Sequence, residues 1–438
     1  MKECSAALPV VNAAIHRHLN SKELETISWA DLTADTPNCV LGTGSFGRVF
    51  QLSWQQPGGK VSVAVKLMSQ TFARCANRDY AAALAMAKQE AETIHEISVR
   101  GGDAMSTHVI QVYGFVQGPL PATLTSAFKG ARVGEEAYGI VMRLEAGGSL
   151  KQLLHPEPGK PNTPLSTEER IRILELAARG LAELHRISVV HGDLKLDNML
   201  LTNASPPDVR IADFGLSVIQ EQMAGPNTTT TASAQRTGTI AGTKLYNAPE
   251  LLPINADKDG KVARASRSTD MFAFGIVMHE VLSGKVPFEE QTEINDRNFE
   301  TKISQGVRPL SAILPSDTPP SLIALIQKCW DGDRANRPTA AECLATVTHA
   351  YSVLESKEFD VFYSHRWGDE KNKKFLTYVC FLLRREDYLA WFDVDHMGHD
   401  LEASMKGGIA KSKVMVACVD SGYLAVSIVH LSHIISNK

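Results

Sequence analysis

The chain has 438 residues, with 45 Lys and Arg side chains against 49 Asp and Glu side chains, so its formal charge is −4. This length suggests two or three domains, and a composition of 44% hydrophobic and 21% charged residues excludes a wholly disordered chain. The mildly acidic charge argues against nucleic-acid binding. The apolar runs are only as long as strands, which argues against a membrane span. The seven cysteines are scattered, which argues against a disulfide or zinc scaffold. The sequence therefore predicts a cytoplasmic protein.

The first part of the chain is predicted to be rich in β-structure. After an N-terminal extension over residues 1–34, residues 61–66 alternate large and small side chains as a strand does. Residues 78–97 carry Ala, Met and Ile at helical spacing, and the glycines at 101–102 are predicted to end that helix. Residues 117–136 are rich in Gly and Pro and predict a long connection before the next strand.

The following part of the chain is predicted to be helical. Ser166 and Glu169 have the spacing of a capping box, in which the hydroxyl and the carboxylate each bond a free first-turn amide. Apolar residues at the 3.6-residue period follow, so this helix should pack against a core. The segments 269–284 and 320–330 are also apolar at helical spacing, and a polar, Thr-rich stretch over 220–242 lies between the helices.

The first chemical signal is a Gly-rich run between β-like segments. Its members are Leu41, Gly42, Thr43, Gly44, Ser45, Phe46, Gly47 and Val49. Glycines let the backbone approach phosphate oxygens closely, so that the amides of the turn can bind them. A tight hairpin gives the same pattern, and this run alone leaves both interpretations open.

A lysine near the end of an apolar strand is the second signal. A buried ammonium needs an anionic partner, and Lys66 could meet a nucleotide phosphate or a carboxylate on the following helix. The carboxylates on that helix are those of Glu90, Glu92 and Glu96. Glu90 is preferred, because Ile94 and Ile97 place its side of the helix against the core.

Four polar side chains further along suit phosphoryl transfer, which needs positioning and charge rather than covalent chemistry. Asp193, in the run from 191 to 198, can accept the proton of an acceptor hydroxyl, and Lys195 can meet the charge that develops on the γ-phosphate. Asn198 and Asp213 supply hard oxygen ligands of the kind that Mg²⁺ prefers.

In this order and spacing, the motifs resemble those of eukaryotic protein kinases, over residues 35–352. The resemblance implies an α+β, two-lobed fold with a β-rich N-lobe and a helical C-lobe, and ATP and Mg²⁺ as cofactors. It also implies that the Gly-rich run covers the ATP phosphates, that Lys66 pairs with Glu90 and holds the α- and β-phosphates, and that Asp193 is the catalytic base. Further ATP-binding residues are implied to be Val49, Ala64, the gatekeeper Met142, Leu144 and Leu200, with Asn198 and Asp213 binding Mg²⁺.

The resemblance extends to the acceptor and to the branch of the family. Lys195 in the catalytic loop, together with Thr243 as a substrate-docking residue, resembles the pattern of Ser/Thr-specific kinases, so protein substrates with Ser/Thr acceptors are expected. The motif at 29–32, Trp-Ala-Asp-Leu, resembles the tyrosine-kinase-like, Raf-type branch. Arg337 is expected to pair with Glu250.

One position departs from the family pattern. Gly192 stands where the family has an arginine that pairs with a phosphorylated activation-loop residue. Glycine offers no cation, so we expect activity to depend only weakly on phosphorylation of the activation loop. The candidate modification sites there are Thr228, Thr229, Thr230, Thr231, Ser233, Thr237 and Thr239.

The tail, over residues 358–438, alternates strand-like and amphipathic segments, which implies a parallel sheet. Its runs FDVFYSHR, WFDVDHMG and IAKSKVMVACVDSGYL resemble part of a Toll/interleukin receptor (TIR) domain, which implies an α/β module and contacts with similar domains. The alternative function from another class is a catalytically weak, nucleotide-binding signalling scaffold that recruits partners through this tail.

Overall fold

The computed structural model describes residues 24–35, 39–44, 47–75, 79–125, 128, 131–159, 164–214, 218–219, 243–257, 262–355, 359–364, 390–392 and 412–417. The chain divides into two compact units. The first comprises Met1–Leu150, Arg179–Arg236 and Arg264–Asp270, and the second comprises Lys151–Ala178, Thr237–Ala263 and Met271–Lys438. Within the described residues, no helix combines the length and the apolar character that crossing a bilayer requires.

An antiparallel six-stranded sheet begins the first unit. Its strands are β1 (Leu32–Thr33), β2 (Val40–Gly44), β3 (Gly47–Gln56), β4 (Gly59–Ser69), β5 (Val112–Pro119) and β6 (Glu136–Arg143). The strand order is β1-β3-β4-β6-β5, and β2 pairs with β3 as a hairpin. In this register Lys66 of β4 lies opposite Val49 of β3 and Ile140 of β6, so the predicted strand is placed at the centre of the sheet.

Three helices accompany the sheet: α1 (Gln70–Cys75), α2 (Tyr80–His108) and α3 (Ala122–Thr125). The prediction that Gly101 and Gly102 end the second helix is wrong, because α2 continues to His108. Each glycine costs a helix about 1 kcal/mol relative to alanine. Packing beyond the helix offsets this cost, since Val109 and Ile110 are buried and the amide of Ile110 donates to the carbonyl of Ile211 at 2.9 Å.

The predicted long connection before β6 is present and spans residues 120–135, although residues 117–119 still belong to β5. It contributes Leu120, Leu124 and Phe128 to the core of the sheet. The ring of Phe128 lies 4.5 Å from that of Phe50, centre to centre, and Phe50 in turn stacks on Phe72 at 6.1 Å. The Gly/Pro composition predicts the turns correctly but gives no sign of the buried aromatic ring between them.

The remaining helices are α4 (Leu150–Leu154), α5 (Thr167–Arg186), α6 (Arg267–Ser283), α7 (Phe299–Ser304), α8 (Pro320–Cys329) and α9 (Ala340–Glu355). Short 3-10 helices lie at Trp29–Asp31, Leu196–Asn198, Thr243–Tyr246, Pro249–Leu251, Pro253–Asn255 and Ser311–Ile313. The capping box at the start of α5 is confirmed. The amide of Ser166 donates to the Glu169 carboxylate at 2.8 Å, and the amide of Glu169 donates to the Ser166 hydroxyl at 3.2 Å.

Short strands complete the described chain. In the first unit these are β7 (Val189–Val190), β8 (Met199–Leu201), β9 (Val209–Ile211) and β10 (Val218–Ile219), paired as β7 with β10 and β8 with β9. In the tail, β11 (Phe359–Ser364) lies between β12 (Ala390–Phe392) and β13 (Ser412–Ala417) and is parallel to both. This parallel pairing agrees with the strand–helix–strand pattern, whereas the assignment to a TIR-like domain stays a prediction.

A buried ion pair joins two loops of the second unit. Arg337, whose side chain is 0% exposed, donates to both carboxylate oxygens of Glu250 at 2.7 and 3.0 Å. Its Nε donates to the carbonyl of Asp331 at 2.9 Å, and its guanidinium lies over the ring of Phe272. The expected pairing of Arg337 with Glu250 is therefore present.

Replacing Arg337 with lysine should destabilise the protein. An ammonium cannot make two parallel bonds to Glu250 while also reaching Asp331, so we expect Arg337→Lys to lower the free energy of unfolding by about 2–4 kcal/mol. The control is Arg186→Lys, at an exposed pair with Glu183, which should change it by less than about 0.5 kcal/mol. Equal effects of the two variants in urea titrations would contradict this prediction.

Candidate active site

The site is built around the ammonium of Lys66, whose residue is only 8% exposed. Its Nζ donates to both carboxylate oxygens of Glu90 in α2, at 2.7 and 2.8 Å, and to Oδ1 of Asp213 at 2.9 Å. The contact with Glu90 is the one preferred from the sequence. Of the two other glutamates, Glu92 is exposed and Glu96 pairs with Arg100 at 2.6 Å.

Burial and charge act in opposite directions on these three groups. Burial would lower the pKa of Lys66, but Asp213 and Glu90 outweigh it and raise that pKa, so the ammonium stays charged. Burial raises the pKa of Glu90 to about 7, against the attraction of Lys66. Burial also opposes ionisation of Asp213, but the adjacent Lys66 dominates and lowers its pKa to about 2. Asp213 is therefore an anion at neutral pH.

The loop after β7 brings the predicted catalytic side chains together. The ammonium of Lys195 lies 2.6 Å from Oδ2 of Asp193. Asn198, at the end of the 3-10 turn, donates through Nδ2 to the carbonyl of Asp193 at 2.8 Å and to its Oδ2 at 3.3 Å. The amide of Asp193 donates to Nδ1 of His191 at 3.2 Å, so the loop is bonded internally.

Asp213 is held next to this loop by backbone contacts. The amide of Ala212 donates to the carbonyl of Asn198 at 2.9 Å, which places the two predicted metal ligands side by side. The carbonyl of Ala212 lies 3.0 Å from Nε2 of His191. Asp213 itself has φ 64°, a left-handed conformation that is uncommon for a residue with a side chain and is often found at functional sites.

A carboxylate on α6 holds the start of the same loop. Asp270, which is 1% exposed, accepts hydrogen bonds from the amides of His191 and Gly192, both at 2.8 Å. Its Oδ2 also lies 3.0 Å from Nε2 of His185. Gly192 has φ 78°, which glycine adopts without the strain that a side chain would cause. The residue that departs from the family pattern therefore suits the backbone that Asp270 holds.

The residues predicted to enclose adenine occupy neighbouring strands of the first unit. Met142 of β6 lies opposite Ala64 of β4, Val49 is half-buried in β3, and Leu144 follows β6 directly. The segment after Leu144 pairs with β8, which contains Leu200, because the amide of Gly147 donates to the carbonyl of Leu201 at 2.9 Å. The structure thus places Val49, Ala64 and Met142 on adjoining strands and Leu200 beside the segment that follows Leu144, while their contact with adenine stays a prediction.

The Gly-rich run is described in part. Leu41 is exposed, and among the described residues an added Cβ at Gly42 would meet no atom within 4 Å. Thr43 and Gly44 end β2 and Gly47 begins β3, whereas Ser45 and Phe46 lie outside the described residues. Thr243 begins a 3-10 turn of the second unit, and its side chain is not among those described. The activation-loop cluster from Thr228 to Thr239 also lies outside the described residues.

One charged cluster beside the site was not predicted. The carboxylate of Glu145 lies 2.8 Å from Nε of Arg210 and 3.2 Å from Nε of Arg143. Arg210 is three residues before Asp213, and its strand neighbour is Leu200. The sequence does contain a sign of this cluster, since Glu145 follows an apolar strand and a carboxylate buried there needs a cation. The sequence does not identify which cation it is.

Together these side chains provide what a nucleotide triphosphate and a divalent cation require. Asp213, ionised, and the amide oxygen of Asn198 are hard oxygen donors, and Mg²⁺ is usually held by one or two protein groups together with phosphate oxygens. The ammonium groups of Lys66 and Lys195 supply positive charge for phosphates. A carboxylate base, two oxygen donors and two cations within one unit are the parts that a phosphoryl-transfer site needs.

Comparison with known proteins identifies the family. A model described as the protein kinase domain matches residues 37–349, and the chain therefore belongs to the protein kinase family. This membership implies the use of ATP and a divalent metal ion.

The chain also resembles several curated kinases. Receptor-interacting serine/threonine-protein kinase 2 of Bos taurus is 35% identical over 230 residues, covering 51% of this chain and 40% of that protein. Receptor-interacting serine/threonine-protein kinase 3 of Rattus norvegicus is 32% identical over 237 residues, covering 50% and 43%. Dual specificity protein kinase shkC of Dictyostelium discoideum is 29% identical over 327 residues, covering 73% and 53%. The matched part thus spans about half, or less, of these relatives.

The raised pKa of Glu90 predicts an acid limb in the activity profile. As the pH falls below about 7, Glu90 takes up a proton and loses the charge that holds Lys66, so kcat/KM for ATP should fall about tenfold between pH 8 and pH 6. Terminal phosphates titrate near pH 6 as well, so the profile is compared with that of Glu90→Gln. We expect this variant to be less active and to lack the Glu90-dependent part of the limb.

Glu183→Gln, on the surface, is the control for this pH profile and should keep the full limb. If kcat/KM for ATP fell equally steeply with pH in the unmodified chain and in Glu90→Gln, Glu90 would not be the group that titrates in this pH range.

The bonds of Asp270 predict a loss of turnover on substitution. In Asp270→Asn the amide can accept fewer of the loop's N–H groups, and misplacement of Asp193 should lower kcat about 10- to 100-fold with KM for ATP within about threefold. Thermal unfolding should shift downward, because buried N–H groups lose acceptors. Asp79→Asn, an exposed helix cap that asparagine can replace, is the control. An unchanged kcat in Asp270→Asn would contradict the positioning role.

Proposed function

We propose that this chain is an ATP- and Mg²⁺-dependent protein kinase that transfers the γ-phosphoryl group to Ser and Thr hydroxyls of protein substrates in signalling. The observation that carries the proposal is the position of the Lys66 ammonium, bonded to Glu90 and to Asp213 within 3 Å. These are the lysine, helix glutamate and metal-binding aspartate that must be in place together for a kinase to act.

Each polar side chain has a role in the proposed reaction. Asp193 accepts the proton of the acceptor hydroxyl and orients its oxygen, while Lys195, 2.6 Å from Asp193, counters negative charge that develops on the transferred group. Lys66 holds the α- and β-phosphates. Asn198 and Asp213 hold Mg²⁺, which neutralises phosphate charge when bound. Because these groups are prearranged by hydrogen bonds, little reorganisation is needed during transfer.

The choice of acceptor is the finer part of the proposal. Lys195 in the catalytic loop supports Ser/Thr specificity, as do the names of two receptor-interacting serine/threonine relatives. A third relative is named a dual specificity kinase. Analysis of phosphorylated amino acids in the product separates the two possibilities, and we expect phosphoserine and phosphothreonine.

The tail is proposed to be a TIR-like module that contacts similar domains. Support comes from the parallel order β12-β11-β13, in which the first strand of the module is central, and from the TIR-like sequence runs, which overlap these three strands.

Substitution of Lys66 tests the enzyme assignment. Lys66→Met leaves Glu90 and Asp213 without their shared cation, so we expect at least a hundredfold loss of phosphate transfer from radiolabelled ATP to a generic basic protein. The matched control is Lys60→Met, an exposed lysine of the same strand that pairs with Asp35 at 3.5 Å, which should retain near-full activity.

Background-level transfer by the unmodified chain as well as by Lys66→Met would refute the proposal and favour the nucleotide-binding scaffold. Circular dichroism of both variants confirms that any loss does not come from unfolding.

A further inference from the structure

A buried ion pair joins the two segments that carry residues predicted to enclose adenine. The carboxylate of Glu145 lies 2.8 Å from Nε of Arg210, and the two side chains are only 2% and 7% exposed. Glu145 directly follows Leu144, and Arg210 lies opposite Leu200 in the β8–β9 pair. Both segments belong to the first unit, so the ion pair links them within one compact part of the chain.

The strand register connects this ion pair to Leu200. Residues directly opposite each other in an antiparallel pair project from the same face. Leu200 and Arg210 are such partners, so their side chains lie next to each other. The Arg210 guanidinium in turn meets the residue that follows Leu144. A shift of Glu145 relative to Arg210 would therefore change the separation of Leu144 and Leu200.

The backbone after Glu145 is held close to β8 by a glycine. The amide of Gly147 donates to the carbonyl of Leu201 at 2.9 Å, and the amide of Leu201 donates to the carbonyl of Gly148 at 2.8 Å. A Cβ added at Gly147 would lie 2.5 Å from the carbonyl oxygen of Thr202, so a side chain there would push the segment away from β8. The segment is thus held through its backbone at the glycines and through a side chain at Glu145.

The charges around the Glu145 carboxylate depend on one another. Nε of Arg143 lies 3.2 Å from the same carboxylate oxygen that Arg210 meets, and the Arg143 side chain is 33% exposed. Burial raises the pKa of Glu145 and lowers that of Arg210, against their mutual attraction. Loss of the carboxylate would leave two guanidinium groups close together, one of them buried without its anion.

We propose that Glu145 and Arg210 are positioning residues for the nucleotide base. Their ion pair fixes the separation of Leu144 and Leu200 and thereby sets the affinity for adenine, while the transfer step at Asp193 proceeds without them. This role rests on the proposed function, because it requires the two leucines to enclose adenine.

Calorimetric titration with ADP and with adenosine tests this role without any turnover. Glu145→Gln keeps the size of the side chain but removes its charge, so we expect Kd to rise about tenfold for both ligands. Electrostatics alone predicts tighter binding of ADP, since loss of a carboxylate favours an anion. Unchanged or tighter binding of ADP would overturn the proposal. A loss confined to ADP would place the effect at the phosphates and would also overturn it.

Arg143→Gln is the matched control for this titration. Arg143 contacts the same carboxylate, but it leaves from the same segment as Glu145 and so cannot link that segment to β9. We expect its Kd for ADP to stay within about twofold of that of the unmodified chain. A rise as large as that of Glu145→Gln would show that the charge of the cluster matters rather than the link, and would overturn the role of the pair.

Exchange of the two charges separates positioning from a general loss of stability. Arg210→Glu places two carboxylates together and should weaken ADP binding at least about tenfold. Combined with Glu145→Arg, it restores opposite charges and should return Kd to within about threefold of the unmodified value. No restoration in a folded double variant would overturn the proposal. Where thermal unfolding shows that the double variant is not folded, Glu145→Gln decides the question.

Kinetic constants show whether the pair acts on binding or on transfer. Glu145→Gln should raise KM for ATP about tenfold and lower kcat by no more than about twofold. A fall in kcat as large as the rise in KM would overturn the positioning role. Failure of the unmodified chain to bind ADP would refute the proposed function and this role with it. Binding of ADP with equal Kd in the unmodified chain and in Glu145→Gln would overturn only the role of the pair.

Discussion

The structure of the site depends on one buried ammonium. Lys66 is nearly inaccessible to water, and a charge in such a place is tolerated only when anions surround it. It therefore draws together a carboxylate from α2 and one from the segment after β9, which would otherwise repel each other. The same contact lowers the pKa of Asp213 and keeps it anionic, which is the form that binds a metal ion. The contact with Lys66 thus explains both where the Asp213 carboxylate lies and why it is ionised.

A third carboxylate, that of Asp270, holds the backbone of the catalytic loop in the way that Lys66 holds the side chains of Glu90 and Asp213. This carboxylate accepts hydrogen bonds from two backbone amides of the loop that carries Asp193, and one of these amides belongs to Gly192, which has a left-handed conformation. In kinases with arginine at this position the loop can also be ordered by a phosphate on the activation loop. Here the described contacts hold the loop through a buried acceptor that needs no modification. The weak dependence of activity on activation-loop phosphorylation stays a prediction, because the candidate sites from Thr228 to Thr239 lie outside the described residues.

Helix α2 connects the site to the rest of the first unit through its two faces. One face carries Glu90 to Lys66, and another carries Lys88, Glu92 and Val99 along a cavity that begins where the N-terminal segment joins β5. A helix of 29 residues containing two adjacent glycines is stabilised by packing at its ends and sides more than by intrinsic propensity. Contacts on its outer face can therefore affect the position of Glu90.

The sequence predicted those features that depend on residues close together along the chain. The capping box of Ser166 and Glu169 and the strand of Lys66 follow from spacing, and the preference for Glu90 follows from helical periodicity. Tertiary structure alone decided that α2 continues past Gly101 and Gly102, that Phe128 enters the core, and that Glu145 meets Arg210. These outcomes depend on which distant surfaces become buried together. A buried charge or ring requires a partner, but spacing along the chain does not determine which of many distant residues provides it.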